Sequence, residues 1–499
     1  MNKDGIVVLN PDYHFKNDRD RIVMYSKRKV SFDSSAEWVS YIHPMQAMIL
    51  GLFTVPKSLK LHCKAIEKHF RLTPEEVETL IMPYVNNPTP VYTEIGSEKV
   101  LFPKNVLIPY SEIDDNCLMR YDFTMEDLKC DTVCLSQDRM HKAPHTLLFM
   151  LTNKCVTQCK YCYADRKTAY IPLTTKQILQ FIDNAHALKV LYVDVIGGEV
   201  FCRKDWDAIL SRLVEYDMTP SYISTKVPVT RNIVEKLYQT GYNDVVQLSL
   251  DSLDESILKE MIGCKSGYVE KIRNGIEWLQ SYGYLLEIDT VLTRLNATKK
   301  QLQELYSFLK GVKNLRYWEI RIPEVSIYTP EEFASIKADR EQLNEICRFV
   351  KEEIIPDSRF RIYLSSEALE EKFHAGKADD EYFNGGTCGI LNDRLFILPD
   401  GKVGVCEQLY WHPQFVIGDL KKQSLEEIWS SDKALELFHL HRNLFETGSP
   451  CTECKILDSC NQRHRRCFVK TVKAYGINKW NYPDPRCQFA PVFNSNLRY

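Results

Sequence analysis

No stretch of this 499-residue sequence is apolar for long enough to cross a bilayer, and its polar start, MNKDG, lacks the pattern of a secretory signal. No membrane partner is expected on that ground, and a soluble, cytoplasmic location is the expectation. An excess of one charge is also missing. The formal net charge is −3, so the overall balance gives no reason to expect nucleic acid or an anionic surface as partner. Internal repeats and low-complexity tracts are absent. With 44% hydrophobic and 26% charged residues, the chain reads as globular. It is too long for one ordinary core, so two or three domains are expected.

Cysteine is what the sequence has in excess. There are 17, and Cys451, Cys454, Cys460, Cys467 and Cys487 all fall after residue 450. With no sign of export, clustered thiols in a reducing compartment read as metal or iron–sulfur ligands rather than disulfides. A zinc ribbon is the alternative for the C-terminal set taken alone.

Residues 1–110 read as a small separate domain. Strand candidates Ile22–Ser26 and Lys29–Phe32 precede helical stretches at Pro44–Phe53 and Lys60–Phe70. A third helix is marked by Thr73 as cap, Pro74 at the first position and Glu76 completing a capping box. Extended runs Pro90–Ile95 and Glu98–Leu101 then make a wing, giving a winged-helix-like pattern. With Lys57, Lys60, Lys64, Lys68 and Arg71 nearby, such a domain suits DNA, but capture of a peptide along a strand edge is favoured.

Residues 111–142 read as a linker. From 143 to 330 strands alternate with helices. The strands are Thr146–Leu151, Val190–Val195, Ser221–Thr225, Val245–Leu250, Leu286–Leu292 and Tyr317–Ile322. That order argues for an α/β fold with right-handed crossovers, a partial (β/α)6 TIM-like barrel whose active residues sit at the C-terminal strand ends. Residues 331–385 connect, with Asp380 and Asn384–Gly386 suggesting a loop. Residues 386–499 form a cysteine-rich domain with a hairpin, Leu395–Leu398 and Val403–Val405, around the turn Pro399–Lys402.

Cys155, Cys159 and Cys162 form a CxxxCxxC triplet just past the first barrel strand. Three thiolates can hold three irons of a [4Fe–4S] cube and leave the fourth open to a small molecule. A structural zinc with a distant fourth ligand is the alternative. The second strand ends in Gly197-Gly198-Glu199, where paired glycines let backbone approach a ligand and a carboxylate can accept from an ammonium. Ser224 and Lys226 follow the third strand. Ser249 and Asp251 close the fourth, Glu287 and Asp289 lie on the fifth, and Ser252 reads equally well as a helix cap.

These residues resemble the signature of radical S-adenosylmethionine (SAM) enzymes, with Tyr161 in the usual aromatic position before the last cysteine. The resemblance implies a [4Fe–4S] cluster on the triplet whose fourth iron is chelated by SAM, and a 5′-deoxyadenosyl radical that takes hydrogen from substrate. It further implies that Tyr161, Gly197, Gly198, Glu199, Ser224, Lys226 and Ser249 contact the cofactor and that Asp251 serves catalysis. Cys388 is followed after twelve residues by Gly401 and after four more by Cys406, ahead of Cys451-Thr-Glu-Cys454. That order resembles the SPASM extension, which implies two auxiliary [4Fe–4S] clusters and three in all. By the same resemblance Cys451, Cys454, Cys460 and Cys487 ligate the distal cluster, and Cys388, Cys406 and Cys467 the nearer one.

Two departures stand out. Six residues separate Cys460 from Cys467 where the family has three, and Tyr382, Phe383 and Asn384 stand where relatives carry another cysteine. The nearer cluster is therefore expected to have three protein ligands, its open iron free for a substrate thiolate or closed by Cys347 or Asp380. The resemblance implies maturation of a ribosomally made precursor peptide with a leader, by thioether or carbon–carbon crosslinking or by epimerisation, with an electron donor such as flavodoxin or ferredoxin. A sulfatase-maturating, formylglycine-forming enzyme and a non-enzymatic DNA-binding redox sensor are the alternatives.

Overall fold

The computed structural model describes residues 4–26, 38–96, 98–114, 116, 121–136, 138–371, 373, 388–462, 466–493 and 497. The chain divides into two units, 1–143 and 144–499. No helix among the described residues is long and apolar enough to cross a membrane.

The first unit opens with strands β1 (Ile6–Leu9), β2 (Tyr13–Asn17), β3 (Ile22–Ser26) and β4 (Trp38–Ile42). They lead into α1 (Pro44–Gly51), the short β5 (Lys57–Ser58), α2 (Leu59–Phe70) and α3 (Pro74–Ile81). The hairpin strands β6 (Val91–Ile95) and β7 (Glu98–Phe102) and then β8 (Leu107–Pro109) complete it. β2, β3 and β4 form an antiparallel meander, and β1 lies between β5 and β8. The start of α3 follows from its sequence: Glu76 accepts from Thr73 N at 2.7 Å, and Thr73 Oγ1 accepts from Glu76 N. α2 buries Leu59, His62 and Ile66 and leaves Lys60, Lys64 and Lys68 in solvent. The strand expected at Lys29–Phe32 lies outside the described residues.

Residues 121–136, inside the stretch read as a linker, pack onto this unit. Leu128 and Leu135 are buried in its core, and Tyr121, Phe123 and Met125 lie against it. The segment has neither helical nor strand period, so its apolar residues gave no signal from sequence.

In the second unit seven strands recur behind helices. They are β9 (Thr146–Met150), β10 (Tyr192–Ile196), β11 (Tyr222–Thr225), β12 (Val245–Ser249), β13 (Leu285–Val291), β14 (Leu315–Arg321) and β15 (Arg361–Ser365). Between them run α4 (Thr175–Ala187), α5 (Trp206–Glu215), α6 (Arg231–Gln239), α7 (Glu255–Ile262), α8 (Tyr268–Ser281) and α9 (Lys299–Leu309). β9 and β10 pair in parallel, and β11 to β15 form a second, all-parallel sheet in chain order. β15 comes from the region read as a connection. The helix after β12 is capped by Asp254, which accepts from Ser256 N at 2.8 Å, while Ser252 donates to Gln301.

The register sorts the two faces. Gln247, Glu287 and Tyr317 share one row, and Ser249, Asp289, Glu319 and Tyr363 the next. On the other face Leu248, Leu286, Ile288, Trp318 and Ile320 are fully buried. The C-terminal hairpin β16 (Arg394–Ile397) and β17 (Lys402–Gly404), extended by β18 (Val416–Asp419), joins the first sheet because β16 pairs in parallel with β9. Its turn is closed by Gly401, whose φ of +87° needs glycine. The cysteine-rich region is thereby attached beside the strand that carries the triplet.

Candidate active site

The triplet loop leaves β9 and is held from three sides. Gln158 N and Lys160 N donate to Ile262 O and Met261 O at 2.8 and 3.0 Å, satisfying carbonyls at the C-terminus of α7 that the helix itself leaves open. Thr157 Oγ1 stands 3.4 Å from Cys155 Sγ and 3.3 Å from Cys159 Sγ, joining two of the thiols. Thr329 Oγ1 donates to Cys162 O at 2.9 Å.

The third restraint is the glycine pair. Gly198 N donates to Thr152 O at 2.7 Å. A Cβ on Gly198 would stand 2.5 Å from Lys154 O and one on Gly197 would stand 2.8 Å from Thr152 O. The close approach that requires glycine is thus to the backbone leading into the triplet.

Glu199 is buried, and each of its carboxylate oxygens already has two donors. Thr225 Oγ1 (3.0 Å) and Phe201 N (3.3 Å) donate to Oε1; Lys226 N (2.9 Å) and Val227 N (3.2 Å) donate to Oε2. Burial raises its pKa and the hydrogen bonds from Lys226 and Thr225 pull it back only in part. The sequence reading made Glu199 an ammonium acceptor; within the protein this carboxylate is also a clasp joining the end of β10 to the end of β11.

Lys226 and Asp251 are brought together with Tyr161. Asp251 Oδ2 accepts from Tyr161 OH at 2.5 Å and pairs with Lys226 Nζ at 3.2 Å, while Oδ1 accepts from Val291 N at 2.9 Å. Burial alone would lower the Lys226 pKa, but the charges of Asp251 and Cys159 outweigh it, and the net shift is upward. A fixed positive charge therefore sits beside the triplet. Cys159 is buried, which pushes its thiol up to about 11 against the pull of Lys226. Three sulfurs on one loop fit an iron–sulfur cluster, whose binding displaces the thiol protons.

Ser224 is the last residue but one of β11 and Ser249 ends β12, and neither hydroxyl makes a hydrogen bond among the described residues. Beyond them lies the polar face of the parallel sheet. Burial pushes Asp289 up to about 6 although Arg321 Nε is 3.1 Å away, and pushes Glu287 up to about 7. Sequence reasoning found both acids but missed Thr157, Tyr317, Glu319, Arg321 and Tyr363. The alternation of polar residues in RYWEIR and RIYLS carried that signal.

The C-terminal thiols fall into two groups. Cys388, Cys406 and Cys467 line one cavity with Leu391, Val405 and Leu409, and Cys460 reaches the same cavity. Burial pushes Cys406 well above the ordinary thiol range, with Glu407, Cys467 and Cys388 as charged neighbours. Burial likewise pushes Cys487 up to about 11, and its neighbours are Cys451, Cys460 and Cys454. Cys347 is buried in the helix Arg340–Phe349. Asp380, Tyr382, Phe383 and Asn384 lie outside the described residues.

The Radical SAM superfamily matches residues 149–309, and the SPASM iron–sulfur cluster-binding domain matches residues 388–455. The PqqA peptide cyclase of Granulibacter bethesdensis is 27% identical over 357 residues, covering 70% of this chain and 88% of that protein. The PqqA peptide cyclase of Methylorubrum extorquens is 24% identical over 361 residues, covering 70% and 86%. In fold, the chain is similar to Streptococcus suis SuiB bound to S-adenosylmethionine, with a TM-score of 0.62 and 17% identity over 96% of this chain and all of that one. SuiB bound to its precursor peptide SuiA gives a TM-score of 0.59 at 17% identity, over 97% of this chain and all of that one. The matched domains imply iron–sulfur and SAM binding: with its mixed α/β sheets and cysteine-rich C-terminal region, the chain carries a radical SAM domain followed by a SPASM domain, the parts of a radical-generating enzyme.

Proposed function

We propose that this enzyme matures a ribosomally synthesised precursor peptide by hydrogen abstraction, forming a thioether or carbon–carbon crosslink or epimerising a residue. The observation that carries the reading is the likeness to peptide cyclases across 70% of the chain and 88% of the relative's own length. The parallel strands from β9 to β14 are read as the partial (β/α)6 barrel of residues 143–330, with β15 of the 331–385 segment added at its edge. Residues 1–110, three helices and then a hairpin, are read as a winged-helix-like domain that takes up the leader, with 111–142 leading to the barrel.

When bound, a cluster on Cys155, Cys159 and Cys162 supplies the electron that cleaves SAM to a 5′-deoxyadenosyl radical. Glu199 holds the backbone of Lys226 and Val227 in place as a shelf for SAM. Lys226, fixed by Asp251, sets a positive charge near the triplet, and Tyr161 is oriented by the same carboxylate. Ser224 and Ser249 keep hydroxyls free for SAM. The polar rows of Asp289, Glu319 and Tyr363 offer the substrate side chain donors and acceptors. Cys388, Cys406 and Cys467 would hold one auxiliary [4Fe–4S] cluster and Cys451, Cys454, Cys460 and Cys487 the other, three clusters in all. A flavodoxin or ferredoxin is the electron donor and the cytoplasm the site of action.

The test is anaerobic incubation of reconstituted enzyme, SAM and reductant with any short peptide found encoded near its gene. The expected outcome is 5′-deoxyadenosine together with a peptide that has lost two hydrogens or, in D2O, gained deuterium at one α-carbon. No 5′-deoxyadenosine above a Cys155→Ala control would sink the radical reading, whereas 5′-deoxyadenosine with an unchanged peptide would sink only the substrate.

A further inference from the structure

One set of metal-ligating side chains belongs to the N-terminal unit and shares no residue with either cysteine group. Residues 121–143 contain no helix or strand among those described, yet they are stitched to the β2–β3 turn. The Asp18 carboxylate accepts from His141 N at 2.9 Å and Lys142 N at 2.8 Å, and Cys134 N donates to Asp20 O at 3.0 Å. Arg21, fully buried, donates to the carbonyls of Ser136 and Arg139 and pairs with Asp18 at 3.0 Å. This stitching brings Asp20, Cys134 and His141 together. Nδ1 of His141 is 2.6 Å from Asp20 Oδ1, and one ligand atom from each of the three residues lies within 4.8 Å of the others.

The outer nitrogen of the histidine is also provided for. His141 Nε2 is 3.4 Å from Ser136 Oγ and 3.9 Å from Asp138 Oδ1, and Ser136 Oγ donates to that carboxylate at 2.8 Å. A metal-bound imidazole commonly has a carboxylate or its relay on its second nitrogen, which fixes the tautomer that leaves the first nitrogen free to ligate. All five residues belong to one loop and one turn, so the arrangement does not depend on the rest of the enzyme.

We propose that Asp20, Cys134 and His141 bind one zinc-class divalent ion. A thiolate, an imidazole and a carboxylate are the three donor types zinc takes, whereas magnesium and calcium prefer oxygen alone. Zinc bonds of about 2.0–2.3 Å require the His141–Asp20 contact to open by about 0.7 Å, a side-chain adjustment for two groups at the unit's surface. The fourth position is left to water. The ion would cross-link residues 121 positions apart and close the irregular 121–143 strap onto the sheet. The rival arrangement is an Asp20–His141 hydrogen bond beside an exposed free thiol.

The test uses the full, cluster-loaded protein, purified anaerobically from zinc-supplemented cells and dialysed, with zinc and iron measured together. The expected result is about one zinc per chain in the wild type and at least a roughly tenfold loss in Cys134→Ser and in His141→Ala, at unchanged iron. Wild-type zinc below about a tenth of an equivalent, or zinc retained in both variants, overturns the site. If a variant fails to accumulate, the wild type decides by alkylation of Cys134, read by peptide mass spectrometry. Labelling that rises sharply on adding a zinc chelator supports the site; equal labelling with and without it overturns it.

Discussion

Glu199 and Asp251 are both buried carboxylates with no oxygen left over, and that fact governs what their substitution does. In Glu199→Gln, one of the two oxygens becomes an NH2 that must face either two backbone N–H groups or the Thr225 hydroxyl and Phe201 N. Leaving buried donors unpaired costs about 2 kcal/mol. The expected outcome is a lower unfolding midpoint in the absence of SAM as well as weaker SAM binding in titration calorimetry. A residue that only met the SAM ammonium would lose affinity and keep its SAM-free midpoint. For Asp251→Asn the loss is larger, about 3 kcal/mol, because the Lys226 ammonium stays buried without its counter-charge. Adding Lys226→Met should return part of that stability in a double-mutant cycle while SAM cleavage stays low. Both acids could be picked out in the sequence as polar residues ending strands. Tyr161 and Lys226 were singled out too, but their pairing with Asp251 was not, since Tyr161, Lys226 and Val291 come from three separate segments that only the fold assembles.

Strands and loops carry the next level of constraint. The glycine pair was legible as a motif, but its physical reason, contact with the backbone of residues 152–154, needed the geometry. Gly198→Ala must push the stem of the triplet loop away, since the new Cβ would meet backbone oxygens at 2.5 and 2.6 Å. Iron analysis of the reconstituted variant should show about four irons fewer than wild type, the complement of one cluster, with the C-terminal groups still loaded. Six strands of the second unit, β9 to β14, were readable because each is a short apolar run and helices separate them. β15 was not, because its RIYLS sequence is half exposed and lacks such a run. The polar face of the sheet also titrates. The Glu287 carboxylate, ordinarily near 4.5, is raised to about 7 by burial. A raised carboxylate favours the folded state most below its unfolded value, and this contribution is lost as pH rises from about 4.5 through about 7. Glu287→Gln should therefore stabilise the protein by about 1–3 kcal/mol at pH 8 and change little at pH 4.5, as followed by thermal unfolding across that range.

At the scale of the whole chain, the boundary near residue 143 decides how the two proposed tasks can be separated. A cut at 110, where the sequence pattern changes, would remove the core that buries Leu128 and Leu135 and leave Tyr121, Phe123 and Met125 attached to the second unit. Such a stub exposes a contiguous apolar strip, and aggregation is its expected fate. A cut at 143 takes the strap with its own core. The proposed division of labour gives the first unit the leader and the second the radical. β6 and β7 pair only with each other among the described strands, so the hairpin has outer edges for strand addition, and Tyr92 on β6 is 68% exposed. The basic face of α2 suits an acidic leader as readily as DNA. Residues 144–499 alone should keep SAM cleavage near the wild-type rate, measured as 5′-deoxyadenosine, while conversion of the leader-bearing peptide falls by about a hundredfold for want of local concentration. The core peptide without its leader should react poorly, and equally, with either form. The isolated first unit should bind the leader saturably and duplex DNA only weakly and with steep salt dependence. Equal processing of the leader-bearing peptide by both forms would remove recognition from the first unit, leaving the chemistry of the second untouched.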